Sequence, residues 1–303
     1  MITVKQSDLP EGIFLNRYFE NRMIRRNQNI LLAVTGGTGS GKSYTCLRIA
    51  ELWYQYKFGE PFPSQHVCFT IEEVMRVLSQ KEKKLRKGDL IILEEAGVNM
   101  GSLDFQNKVS KMFGYVLQSF RSMNVGIIMN LPVLTMLNKS ARLLLHCHMI
   151  TAGIDYEKKV TKVKPFFNQL NQQSGKIYPK YMRASVAGKK QKIQRFNYKL
   201  ASEEIINKYE IKKLKFVSEL NEDFLNKLEA EQRAESIKMA RDDLTEKQRE
   251  VYELWITGIT AREIGERLER KESSVADSIR GLKKKGYERK IRKNAKKIGI
   301  LRE

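Results

Sequence analysis

The sequence predicts an α/β fold with a mainly parallel sheet, followed by an all-α unit near the C-terminus. Three observations carry this. From residue 28 to about 155, short apolar runs alternate with helix-period segments, the pattern of βαβ units. A glycine-rich loop follows the first apolar run and opens a helix. From residue 244, three short amphipathic segments succeed one another, broken at Thr257-Gly258-Ile259. At 303 residues the chain has room for about two domains.

In chain order, residues 1–27 form a lead-in ending in the basic stretch Asn21-Arg22-Met23-Ile24-Arg25-Arg26. Residues 28–200 make the α/β domain. Ile30 to Thr35 reads as a buried strand, and Lys42 to about Tyr56 as the helix after the glycine-rich loop. His66 to Phe69 is a short strand, and Thr70 to Glu73 opens the next helix with a capping box. Leu90 to Leu93 and Gly126 to Met129 are further strands. Between them Asn107 to Met123 reads as a helix, with Val109, Phe113, Val116, Leu117 and Phe120 on one face. Residues 156–200 look like added antiparallel strands, lysine-rich, with a turn at Asn171 to Gly175. Residues 201–243 form a charged helical connector, and 244–303 the C-terminal unit with a basic tail.

Gly36-Gly37-Thr38-Gly39-Ser40-Gly41-Lys42-Ser43 fits G-x-x-x-x-G-K-[ST], with a strand before it and a helix after it. Such glycines let backbone N–H groups wrap a phosphate, and the helix N-terminus adds a favourable dipole. Lys42 is placed to reach the β- and γ-phosphates and Ser43 to ligate Mg²⁺, and Gly36 to Tyr44 are together the candidate nucleotide-binding residues. The α/β domain is therefore expected to be a P-loop NTPase with a RecA-like mainly parallel sheet, using ATP and Mg²⁺. Leu90-Ile91-Ile92-Leu93-Glu94-Glu95 resembles a Walker B strand, which delivers carboxylates to the sheet edge that holds the phosphate loop. Glu94 would hold the metal shell and Glu95 polarise the attacking water. Glu94 stands where most such strands have Asp, and its extra methylene suggests a metal contact through water. A second acid suits water as nucleophile, whereas a kinase's acceptor is the substrate hydroxyl.

Asn130 ends the next strand, between the two motifs. It either contacts the γ-phosphate or lytic water, or caps the strand end. Arg121 and Arg142 are candidates for a finger reaching a neighbouring subunit, or surface salt-bridge partners. His146-Cys147-His148 suggests a metal site, but alternate residues of a strand face opposite ways, which argues against one.

Fifty-six Lys and Arg against 35 Asp and Glu leave a formal charge of +21, which favours a polyanionic partner. No stretch approaches the ~18 apolar residues of a spanning helix, and the N-terminus lacks the apolar region of a signal peptide. Three cysteines without a CxxC pair suit a reducing compartment. The expectation is a cytoplasmic protein with no membrane association.

From residue 35 to about 148 the chain resembles small ATPases of archaea and their viruses and plasmids that are similar to the zonular occludens toxin N-terminal domain, within the HerA–FtsK group of DNA pumps. The resemblance rests on the runs 36–44, 90–98, 118–132 and 138–146. That group has Asp-Glu where this chain has Glu94-Glu95, and a polar residue where it has Asn130. The resemblance implies a homo-oligomeric ring that translocates or packages double-stranded DNA. True zonular occludens toxins carry a membrane anchor, so a DNA-handling role is expected here over virion extrusion.

In the C-terminal unit, capping boxes at Thr245 to Gln248 and Thr260 to Glu263 start two helices, and Ser273 or Ser274 is expected to cap the third. Val251, Leu254, Trp255, Ile264, Leu268, Val275, Ile279 and Leu282 face inward. The unit reads as a helix-turn-helix, similar to LuxR-type regulators and sigma-factor region four. Ser274, Asp277 and Ser278 stand where base edges are read; Arg280, Lys283 and Lys284 stand where phosphates are met. The basic run continues through Arg289-Lys290, Arg292-Lys293 and Lys296-Lys297. A bundle used for oligomer contacts is the bland alternative. Together these features predict a DNA-dependent ATPase, or an ATP-switched sequence-specific regulator of transcription or replication. A metabolite kinase with an appended regulatory unit is the third class.

Overall fold

Six consecutive residues of β1 (Ile30–Thr35) are buried, because the strand is flanked in the sheet and covered on both faces. The protein is described by a computed structural model over residues 11–79, 85–94, 123–137, 139–186 and 189–287. Glu95, Arg121, the expected helix over 107–123 (all but Met123) and the basic tail from 289 lie outside these residues.

β1 pairs in parallel with β4 (Gly126–Leu131) and β5 (Cys147–Asp155). β3 (Leu90–Leu93) pairs in parallel with β4, and β2 (Val67–Cys68) with β3. The parallel order is thus β5–β1–β4–β3–β2. Three antiparallel strands extend it beyond β5. β6 (Val160–Leu170) pairs with β5, while β7 (Ile177–Tyr181) and β10 (Phe196–Lys199) pair with β6. A separate hairpin joins β8 (Arg183–Val186) to β9 (Lys189–Lys192). This is the expected mixed α/β class with a mostly parallel central sheet and a C-terminal helical region.

The strands alternate between two cores. Ile30, Leu32, Val34, Leu90, Ile92 and Ile128 face one layer. Leu31, Ala33, Ile91, Leu93, Ile127 and Met129 face the other. The first layer is built on α2 (Lys42–Phe58), which buries Cys46, Leu47, Ile49, Ala50, Trp53 and Tyr54 and ends at left-handed Gly59. The Trp53 indole donates to Gly88 O at 2.7 Å. The lead-in joins this layer: α1 (Ile13–Phe19) runs into a π-helical turn over Glu20–Arg25, burying Leu15, Phe19 and Met23. The other layer holds α3 (Ile71–Leu78), capped by Thr70, and α4 (Lys139–Leu143). The Thr70 hydroxyl accepts from Glu73 N at 3.0 Å. The Glu73 carboxylate reaches one residue further back than a standard box, to Phe69 N at 2.8 Å.

The 41-residue helix α5 (Glu203–Asp243) follows, and the chain divides into two compact units at Phe216/Val217. The charged connector read from the sequence is therefore packed at its start: Ile205 and Tyr209 are buried in the first core. Among the described residues no helix is long and apolar enough to cross a membrane.

In the second unit α6 (Glu246–Trp255), α7 (Ala261–Arg267) and α8 (Glu272–Lys284) enclose Val251, Tyr252, Trp255, Ile264, Val275 and Leu282. Both expected capping boxes form. The third cap does not fall on serine. Lys271 precedes α8, so Ser273 and Ser274 lie inside its first turn. The preceding turn explains the shift. Glu269 is left-handed (φ 53°) and Arg270 N bonds back to Gly265 O at 2.8 Å, a Schellman-type ending. The chain is thereby turned early enough for α8 to begin at Glu272.

A Cβ on Gly265 would stand 2.7 Å from the Arg270 carbonyl oxygen, backbone that has no room to yield. Gly265→Ala is expected to destabilise the second unit by about 1–3 kcal/mol, read as a lower denaturant midpoint for Trp255 fluorescence.

Candidate functional site

The site lies at the C-terminal edge of the parallel sheet, where β1, β4 and β3 end side by side. β1 runs directly into the glycine-rich loop and α2. The loop is fastened from beneath by β5. Thr151 Oγ1 donates to Thr35 O at 3.1 Å and lies 2.6 Å from Ser40 Oγ. Gly36 is obligatory here: a Cβ would fall 2.0 Å from Thr151 Oγ1. Gly41, left-handed at φ 86°, packs closely on Thr161 of β6, where an added Cβ would stand 2.6 Å from the hydroxyl oxygen. The Gly37 carbonyl gathers the loop inward. It accepts from Ser40 Oγ at 2.7 Å and from the Lys42 ammonium at 2.8 Å. Gly37, Thr38 and Gly39 are exposed, and the first turn of α2 contains no acidic residue. No carboxylate of the helix itself therefore offsets its N-terminal dipole, which favours an anion at the loop.

The register brings the remaining residues in. Leu93 pairs with Met129, so Glu94 and Asn130 leave the sheet as neighbours, and Asn130 also pairs with Val34 on the other side. Glu94 and Asn130 are 1% and 2% exposed. Glu94 Oε2 accepts from Ser43 Oγ at 3.0 Å and from Asn130 Nδ2 at 2.6 Å; Asn130 Nδ2 also reaches Ser43 Oγ at 3.1 Å. Glu94 thus meets the loop serine directly, and its extra methylene is absorbed without an intervening group. A serine hydroxyl and a carboxylate side by side form a hard-oxygen set that suits Mg²⁺. Asn130 Oδ1, buried and without a hydrogen-bond partner among the described residues, adds an acceptor at the same edge.

Helix α5 supplies what the sequence reading missed. The Tyr209 hydroxyl lies 3.4 Å from Glu94 Oε2, and its ring stacks on Phe69, which also stacks on Phe216. Tyr44, next to Ser43, donates to Glu210 at 2.9 Å. Lys212 holds the helix down through Val67 O and, at 3.2 Å, Glu73. Burial, and then the Glu94 charge, raise the Tyr209 pKa, so the phenol stays a neutral donor. The signal was present in Ile205, Tyr209, Lys212 and Phe216, spaced four, three and four apart on one face, but the surrounding charge obscured it.

Arg142 sits half-buried on α4, and no contact among the described residues joins it to the loop. His146 and His148 each bond within the sheet. His146 Nδ1 accepts from Leu31 N at 3.0 Å, and His148 Nε2 lies 2.7 Å from Thr35 Oγ1. No cluster of possible metal ligands among His, Cys, Asp and Glu occurs within the described residues. Burial lowers His148 from its ordinary 6.5 to about 4. Burial also pushes the Cys68 and Cys147 thiols up to about 12, which leaves them inert as nucleophiles.

Of the C-terminal candidates, Ser274, Asp277, Arg280, Lys283 and Lys284 are exposed on α8. Asp277 and Arg280 pair at 3.2 Å, and half-buried Ser278 donates to Ser274 O at 3.0 Å.

Two outcomes follow from this geometry. Tyr209→Phe keeps the ring stack but removes one donor from Glu94. Titration of Mg²⁺ against a fluorescent ATP analogue should then show half-saturation at about fivefold lower Mg²⁺, the worth of one ordinary hydrogen bond. An unchanged midpoint would rule out competition between the phenol and the metal. For His148, the unfolded chain takes up a proton below 6.5 while the folded chain resists until about 4. Stability should therefore be full above pH 6.5 and fall as pH drops toward 4, a slope that His148→Gln flattens in urea titrations across that window.

No protein-family model matches the chain, and no curated protein matches it. Among solved structures, it is similar to a DNA polymerase III gamma subunit-related protein from Thermotoga maritima, with a TM-score of 0.35 and 10% identity over 50% of this chain and 48% of that one. It thus spans about half the length of that protein. It is also similar to the N-terminal domain of zonular occludens toxin from Neisseria meningitidis, with a TM-score of 0.30 and 11% identity over 51% of this chain and 95% of that domain. A third similarity is to the cytoplasmic domain of the Type VII secretion ATPase EccC from Thermomonospora curvata, with a TM-score of 0.28 and 10% identity over 50% and 23% of the two chains.

Proposed function

We propose that this chain is a cytoplasmic P-loop ATPase that couples ATP hydrolysis to translocation, packaging or remodelling of double-stranded DNA, working as a homo-oligomeric ring. The observation that carries the ATPase reading is the meeting of Ser43, Glu94 and Asn130 beside a loop whose exposed backbone and lysine suit a triphosphate. In this reading the backbone from Gly36 to Ser43 cradles the phosphates, and Lys42 swings from the Gly37 carbonyl to the β- and γ-oxygens. Ser43 and Glu94 hold Mg²⁺, which neutralises charge on those oxygens when bound. Asn130 orients the attacking water or the terminal phosphate, and Glu95 takes the proton from that water. Arg142 is the finger candidate offered to a neighbouring subunit.

The DNA reading is supported by the three-helix unit. Ser274, Asp277 and Ser278 would face base edges, with Arg280, Lys283 and Lys284 against phosphates. A second reading, an ATP-switched regulator of transcription or replication, is favoured by the contact of Tyr209 with Glu94. In that reading the helix that continues into the C-terminal unit would respond to the nucleotide directly.

Steady-state hydrolysis with and without duplex DNA separates the two. The motor reading expects a DNA-stimulated rate, lowered about 10²-fold or more by Glu95→Gln and abolished by Lys42→Ala. A slow rate indifferent to DNA, with ATP altering affinity for one sequence, would replace it with the switch.

A further inference from the structure

Residues 158–202 contain ten lysines, two arginines and no aspartate or glutamate. These twelve cations equal more than half of the net +21. They lie on the antiparallel extension, which takes no part in the phosphate-loop chemistry apart from the Thr161 contact. Their placement is not a uniform solvated coat. β6 turns Thr161, Val163 and Phe167 toward the first core and Lys162, Lys164 and Phe166 to the opposite face. On that face Phe166 pairs with His148 of β5 and with Tyr181 of β7, the Phe166 and Tyr181 rings 4.6 Å apart. The Lys192 ammonium, from the β8–β9 hairpin, sits 3.9 Å from the centre of the Tyr181 ring. Lys164, Tyr181, Lys192, Gln194 and Arg195 line a cleft of ≈ 560 Å³.

Lys162 is neutralised by Asp155 at 2.8 Å. Lys164, Lys192 and Arg195 form no ion pair among the described residues. Three unpaired cations around one mouth repel each other, an arrangement that an anion relieves. A tyrosine face and the Gln194 amide beside them provide stacking and hydrogen-bonding surface.

We infer that this cleft binds the phosphodiester backbone of a nucleic acid, so that the ATPase unit grips nucleic acid independently of α8. The inference rests on the nucleic-acid reading above and adds a second contact surface to it. A nucleic acid fits better than a free phosphate because the cations run on across β6, β7 and the β8–β9 hairpin, far beyond one phosphate. It fits better than an anionic membrane because the described lining is amide and cationic groups around one ring, with no aliphatic side chain among them to insert.

The test uses the full chain and a 30-base-pair duplex of arbitrary sequence, with affinity followed by fluorescence anisotropy across a NaCl series. The triple variant Lys164→Gln, Lys192→Gln, Arg195→Gln should lower the slope of log affinity against log salt by about two to three, because each lost phosphate contact removes about 0.9. Binding at low salt should weaken at least about tenfold. The charge-keeping variant Lys164→Arg, Lys192→Arg, Arg195→Lys should behave as wild type. Single Lys164→Gln and Lys192→Gln variants, each lowering the slope by about one, serve if the triple variant is unstable.

A triple variant with wild-type slope and affinity overturns the inference. If Arg280→Ala, Lys283→Ala, Lys284→Ala still loses binding in that case, the broader nucleic-acid reading stands. A wild-type chain that binds no duplex and no single strand overturns both. Loss of binding to phosphatidylserine vesicles, with duplex binding intact, replaces nucleic acid with a membrane surface and also overturns the inference.

Discussion

Burying a carboxylate at the end of a strand sets the terms for everything around it. Glu94 is taken almost wholly out of water, and an isolated buried charge costs several kcal/mol unless donors surround it. Those donors come from three separate parts of the chain: Ser43 after the phosphate loop, Asn130 at the end of β4 and Tyr209 on α5. Each requires a different piece of architecture to be correct. Inserting β4 between β1 and β3 brings Asn130 alongside both motifs, and the parallel direction of all three strands delivers their polar ends to one edge. Had β3 paired with β1 directly, Asn130 would not stand beside both the carboxylate and the loop serine.

The phosphate loop is restrained in a complementary way. β5 holds it from below through Thr151, and β6 crowds Gly41 through Thr161. The antiparallel extension is therefore not an appendage but one wall of the loop. Its buried face supports the backbone of the glycine-rich loop while its other face concentrates positive charge. Sheet alternation alone permits that division, since successive residues of β6 belong to opposite surfaces.

Helix α5 has a comparable double character. Its first turns use Tyr209, Glu210 and Lys212 to contact Glu94, Tyr44 and Glu73, whereas farther along it becomes charged and exposed. A helix anchored on Glu94 is energetically linked to whatever that carboxylate binds, because any group that draws on Glu94 alters the partner of the Tyr209 hydroxyl.

The sequence alone determined what depends on local chemistry. The glycine spacing before Lys42, the apolar run ending in Glu94 and the capping pairs at Thr70, Thr245 and Thr260 each act within a few residues, so they can be read without a fold. The strand-to-Asn130 pattern was legible for the same reason, as was the mixed α/β class from alternating periods. Tertiary structure decided what depends on residues far apart in the chain. Tyr209 lies 115 positions from Glu94, and Thr151 lies 111 from Ser40. No local period encodes such meetings; they arise from strand order and helix docking. The start of α8 also escaped the sequence, because left-handed Glu269 and the bond from Arg270 N to Gly265 O, not a serine, determine where that helix begins. The gathering of Lys164, Lys192 and Arg195 around one ring is the same kind of fact: composition announces the charge, and only the folding of three strands and a hairpin says where it converges.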